Sequence, residues 1–97
     1  MELRQLHIYA AVAKYRSFSG AARKLYISHS SASRAVSELE KELGVRLIER
    51  DNRVLGFTPA GEIMAEEAER LIDCAEAAAA RVREAGKNPT KTENEKI

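Results

Sequence analysis

Residues 21–50, AARKLYISHSSASRAVSELEKELGVRLIER, constrain the fold more than any other stretch, because they read as a short helix, a tight turn and a longer helix. Ile27 followed by Ser28 is an apolar anchor and then a helix N-cap. The longer helix starts at about His29, runs to Leu43 and meets Gly44, a residue suited to the left-handed position that closes a helix. Ala32, Val36, Leu39 and Leu43 recur at helical spacing on one face, while Ser30, Ser33, Arg34, Ser37 and Lys41 occupy the other. Such a helix, presented by a short one before it, has what insertion into a DNA major groove requires.

The flanking segments supply the rest of a small body. Residues 2–14 put Leu3, Leu6, Tyr9, Ala10 and Ala13 on one helical stripe, with Arg4, Gln5 and Lys14 off it. Residues 15–20 break that pattern, and Ser19 is the expected cap of the next helix. Ala21 and Ala22 are small enough to let a neighbouring helix come close, as a compact three-helix core needs. After Gly44 the period changes. Residues 45–48 are β-prone, Asp51-Asn52 is a turn signal, and Val54, Leu55 and Phe57 form a second short run, so a hairpin with Arg50 and Arg53 at its tip is predicted.

Thr58-Pro59 then opens a last helix, with Thr as N-cap and Pro at the first helical position. Nothing breaks it before Ala85, which gives a rod of roughly 40 Å. Met64, Ala68, Leu71, Ala75, Ala78 and Val82 step along it as a heptad seam, half of it alanine. That seam allows a close partner helix but buries too little to stand alone, and a rod of this length outreaches so small a body. A second copy is therefore expected across it. Ile63, Met64 and Leu71 are the residues that could cover the chain's own core. The polar tail, 86–97, is expected to be flexible. The predicted fold is mostly α: a winged helix-turn-helix of three helices and a small hairpin over 1–58, then a long dimerisation helix over 59–85.

Charge follows this division. The net charge of +1 says little, but 1–58 hold ten Lys/Arg against six Asp/Glu, and 59–97 hold six against nine. The basic part carries the candidate reading helix, as a polyanionic partner favours. On that helix Arg34 can bond bidentately to guanine, and the hydroxyls of Ser28, Ser30, Ser33 and Ser37 can reach bases or phosphates. His29, at the helix start, can donate to either. Arg50 and Arg53 would extend the same surface through the hairpin.

Enzymatic readings find no support. Two isolated histidines, one cysteine and scattered carboxylates make no nucleophile–base pair and no metal-ligand spacing, and no Gly-rich phosphate loop is present. No catalytic residue, metal or cofactor is expected. Cys74 has no partner for an intrachain disulfide, no apolar run is long enough to span a membrane, and the N-terminus does not read as a signal peptide, so a cytoplasmic location is expected.

The residues also carry a resemblance. MELRQL at the start, SFSGAARKLYIS, SRAVSELEKELGVRLIER and FTPAG opening the long helix resemble the N-terminal DNA-binding domain and linker helix of LysR-type bacterial transcription regulators. The resemblance covers about 1–85. It implies dimerisation through antiparallel linker helices and binding to an imperfect palindrome of double-stranded DNA. Ser33 and Arg34 match a Ser-Arg pair expected to contact base and phosphate, and Arg53 matches a wing arginine expected to enter the minor groove. His29 stands where Gln is common, Ser30 where Pro is frequent, and Ala32 where a larger aliphatic is usual. Relatives are normally about three times longer and carry an effector-sensing domain, so no small-molecule site is expected in this chain. A second reading makes the chain an interaction module that pairs with full-length relatives through its long helix and modulates them.

Overall fold

In the computed structural model, residues 1–50 and 55–87 are described; Asp51, Asn52, Arg53, Val54 and the segment 88–97 lie outside the described residues. The order is α1 (Leu3–Tyr15), α2 (Phe18–Leu25), α3 (His29–Leu43), β1 (Ile48–Glu49), β2 (Gly56–Phe57) and α4 (Pro59–Gly86). The strands pair antiparallel, Ile48 opposite Phe57 and Glu49 opposite Gly56. This is the expected mostly helical, winged helix-turn-helix arrangement. The paired strands are shorter than the β-prone runs predicted, with Val45 exposed and Leu55 outside the ladder.

The core gathers Leu6, Ile8, Tyr9 and Val12 of α1, Phe18, Ala21 and Ala22 of α2, and Ala32, Ala35, Val36 and Leu39 of α3. Leu47, Ile48, Met64 and Ala68 close it from the hairpin and α4. The alanines of α2 and Ala32 are fully covered or nearly so, as close helix approach demands. Tyr9 is fully buried, stands edge-on to Phe57 at 6.2 Å, and donates its hydroxyl to the Gly61 carbonyl at 2.8 Å. Burial, followed by the Glu40 and Glu62 carboxylates, pushes its phenol pKa up. It stays a neutral donor.

Three local expectations are corrected. The stripe of α1 is rotated: Leu3 is exposed, while Gln5, Ile8 and Val12 face inward. Gln5 tolerates burial because its Oε1 accepts the Glu2 N–H at 2.9 Å and its Nε2 donates to Glu38 at 3.1 Å. The cap of α2 is Ser17, whose Oγ accepts the Gly20 N–H at 2.9 Å; Ser19 lies exposed inside the helix. Leu43, at the end of α3, is 41% exposed because the packed stripe leaves the helix through Leu39 and Glu40 instead.

Thr58 roots α4 as predicted. Its Oγ1 accepts the Gly61 N–H at 2.9 Å and donates to the Arg46 carbonyl at 2.7 Å, while its N–H reaches the Leu47 carbonyl at 3.1 Å. The helix start is thereby pinned to the hairpin. Gly61 sits so close that a Cβ there would overlap the Leu47 carbonyl. The heptad seam divides. Met64 and Ala68 are buried in the chain's own core, whereas Leu71, Ala75, Ala78 and Val82 stay partly or largely exposed. Ile63, expected to help cover the core, is 60% exposed.

Candidate nucleic-acid interface

The reading helix is fixed at both ends. Ser28 caps α3, its Oγ accepting the Ser31 N–H at 3.0 Å, and Gly44 ends it at φ +73°, its N–H on the Glu40 carbonyl at 2.8 Å. The turn before it is closed by the Ile27 N–H on the Ala22 carbonyl at 3.0 Å, with Tyr26 left-handed at φ +58° and almost wholly exposed. Ala32, Ala35, Val36, Leu39 and Glu40 bury the inner face. The outer face then follows from helical geometry. His29, Ser33, Ser37 and Lys41 step by four residues along it, with Ser30 and Arg34 beside them.

Most of the candidate residues come together there. Ser28, His29, Ser30, Arg34 and Ser37 are exposed and Ser33 is half-buried. The Ser28 hydroxyl is engaged locally, bonded to the Ser31 hydroxyl at 2.9 Å and 3.2 Å from that of Ser30. It serves the helix cap first. Arg34 makes no ion pair with another described residue and extends from the first two turns of the helix. Arg53 lies outside the described residues.

Arg50 is not a free cation at a hairpin tip. Its Nη1 donates to Glu40 Oε1 at 3.1 Å, and its guanidinium lies 5.4 Å from the centre of the Phe18 ring. Nε and Nη2 are covered and have no hydrogen-bond partner among the described residues. Phe18 in turn meets the His29 ring at 5.7 Å.

Glu40 organises this corner and was not singled out from the sequence. Its Oε2 accepts the N–H groups of Leu47 at 2.8 Å and Ile48 at 3.1 Å, while Oε1 takes Arg50. Burial by itself would raise its pKa, but the Leu47, Ile48 and Arg50 donors together hold it below the ordinary carboxylate value. A signal existed: Glu40 stands four residues after Val36, which is four after Ala32, on the inner stripe of α3. Phe18 had a weaker one, as an aromatic three and four residues before the two buried alanines of α2, one helical turn away on the same face.

Among the described residues, no group of three His, Cys, Asp or Glu side chains is placed to hold a metal ion, and no helix is long and apolar enough to cross a membrane. What the surface offers is a rigid helix face of hydroxyl, imidazole and guanidinium groups beside a hairpin root. Three helices, a short hairpin and that exposed face make this a protein of the winged helix-turn-helix class.

The family profile described as "Bacterial regulatory helix-turn-helix protein, lysR family" matches residues 3–62. The chain belongs to the LysR family of bacterial helix-turn-helix regulators. It is similar to the uncharacterized HTH-type transcriptional regulator YfeR of Shigella flexneri, 42% identical over 73% of this chain and 23% of that protein. It is also similar to the HTH-type transcriptional regulator ClcR of Pseudomonas putida, 40% identical over 90% of this chain and 30% of that protein. Among solved structures, the CbnR DBD–DNA complex matches with a TM-score of 0.84 and 37% identity, over 89% of this chain and 99% of that one. The chain spans less than a third of the length of these curated relatives.

Proposed function

We propose that the chain is the DNA-reading part of a transcription regulator, binding double-stranded DNA sequence-specifically as a homodimer on an imperfect palindrome. The observation that carries this reading is the outer face of α3. Its side chains there are exposed, of the types that read base edges, and borne on a helix capped at both ends and packed on a core. The similarity to a DBD solved with DNA supports it. His29, Ser30, Ser33, Arg34 and Ser37 are assigned to DNA contact, Ser28 to the helix cap beside a phosphate, and Arg53 to the wing side of the surface, while Arg50, turned inward onto Glu40 and Phe18, stands behind that surface. Residues 1–58 form the reading head and 59–85 the dimerisation helix.

The dimer reading rests on exposed apolar surface that one copy leaves uncovered. Met1, Leu43, Val45, Ile63 and Leu71 line an apolar groove of about 390 Å³ with Leu47, Ala60 and Met64 in its wall. The groove reaches Leu71, from which the outer seam continues along α4 through Ala75, Ala78 and Val82. A second α4 fits that seam, since alanine permits close approach. No catalysis, cofactor or effector site is assigned to this chain, and it acts in the cytoplasm, where its DNA is. Pairing with full-length relatives would use the same seam and has no observation of its own.

The test is a titration of wild type and Arg34→Ala against a specific and a scrambled duplex at several salt concentrations. Arg34→Ala is expected to lose about 1–3 kcal/mol on the specific duplex and to relax preference at one base pair. Failure of both proteins to tell the duplexes apart would overturn sequence-specific binding.

A further inference from the structure

We propose that Arg50 and Phe18 are positioning residues for base reading: together they fix the His29 imidazole at the start of the reading helix. The inference rests on the DNA-binding reading above and deepens it.

The chain of contacts is continuous. Glu40, on the inner face of α3, holds Arg50 at 3.1 Å and also accepts two backbone N–H groups from the root of the hairpin. Arg50 is therefore directed inward, and its guanidinium lies over the Phe18 ring at 5.4 Å. Phe18 is 8% exposed, and His29 tilts against it at 5.7 Å with 54° between the rings. His29 itself is exposed, and its imidazole makes no hydrogen bond or ion pair with another described residue. Its ring contact is with Phe18. An exposed imidazole on a helix end has several open rotamers, and reading a base edge needs one. The aromatic plate supplies that preference, and Arg50 keeps the plate in place. The two covered guanidinium nitrogens without hydrogen-bond partners fit this assignment, since they face neither solvent nor another acceptor among the described residues.

A direct phosphate contact by Arg50 predicts something different. It would neutralise one backbone charge on every duplex, whatever the sequence. A positioning role acts only where His29 reads.

The experiment uses the full chain with a duplex selected from random DNA, the set of its single-base-pair variants, and a scrambled duplex. Wild type, His29→Ala, Arg50→Lys, Phe18→Leu and the Arg50→Lys/His29→Ala double variant are titrated. Thermal unfolding of each protein is followed in parallel. His29→Ala is expected to flatten preference at one base pair by about tenfold. Arg50→Lys keeps the charge but loses the flat face over Phe18, and should flatten preference at that same base pair by at least about fivefold. Its affinity for scrambled DNA and its salt dependence should stay within about twofold of wild type. In the double variant no further loss should occur at that base pair.

Four results would overturn the proposal. They are an equal Arg50→Lys loss on every duplex, a loss at a different base pair, losses that add in the double variant, or an Arg50→Lys protein as selective as wild type. Should Phe18→Leu unfold, the Arg50→Lys cycle decides alone. A wild type that prefers no base at any position would defeat the DNA-reading proposal itself, and is seen separately.

Discussion

Glu40 is the residue on which the hairpin depends. Its carboxylate is nine-tenths covered and takes three donors, two of them backbone N–H groups that would otherwise lack a partner. Removing it in Glu40→Ala leaves those donors and a largely covered Arg50 unpaired, and should cost about 3 kcal/mol in urea unfolding. The pH dependence has a definite sign. Its pKa is lower folded than unfolded, so the stabilisation is present above the ordinary carboxylate range and lost as pH falls below it. The stability gap between wild type and Glu40→Ala should therefore close on acidification. Tyr9→Phe leaves the Gly61 carbonyl without its donor and should cost about 1–2 kcal/mol by the same measurement. These partners were hard to read from sequence because charge disguised them. Glu40 and Gln5 sit on inward faces and are tolerated there only through bonds to distant residues, which periodicity does not register. The choice of Ser17 over Ser19 has a similar origin: burial of Phe18 sets the phase of α2, and only Ser17 then reaches the Gly20 N–H.

Elements bounded by strong punctuation were legible. Ser28 and Gly44 mark α3 to the residue, and Thr58-Pro59 marks the start of α4. The outer face of α3 followed from its inner stripe, so most of the candidate contact surface was readable as well. The hairpin was readable only as a location, because its pairing is set by the Glu40 clamp and by Thr58 and not by strand propensity. At this scale the sharpest test is Gly61→Ala. Its methyl would meet the Leu47 carbonyl, so α4 must shift off the hairpin, with an expected loss of about 1–3 kcal/mol in thermal or urea unfolding.

For the whole molecule, the long helix serves two environments. Its first turns complete the core through Met64 and Ala68, and the rest carries Leu71, Ala75, Ala78 and Val82 into the open. A uniform heptad count could not reveal that division, because spacing shows which face is apolar but not what covers it. Leu71→Glu should yield monomers in sedimentation and weaken binding to a two-half-site duplex, while leaving the reading helix folded by circular dichroism. The most direct test of sequence-specific, dimeric recognition is selection of duplexes from a random pool by the wild-type chain. The account predicts enrichment of one site built from two inverted half-sites, their centres about one helical turn or a multiple apart along the DNA. A pool that stays random through successive rounds, while the protein still retains DNA, would contradict it.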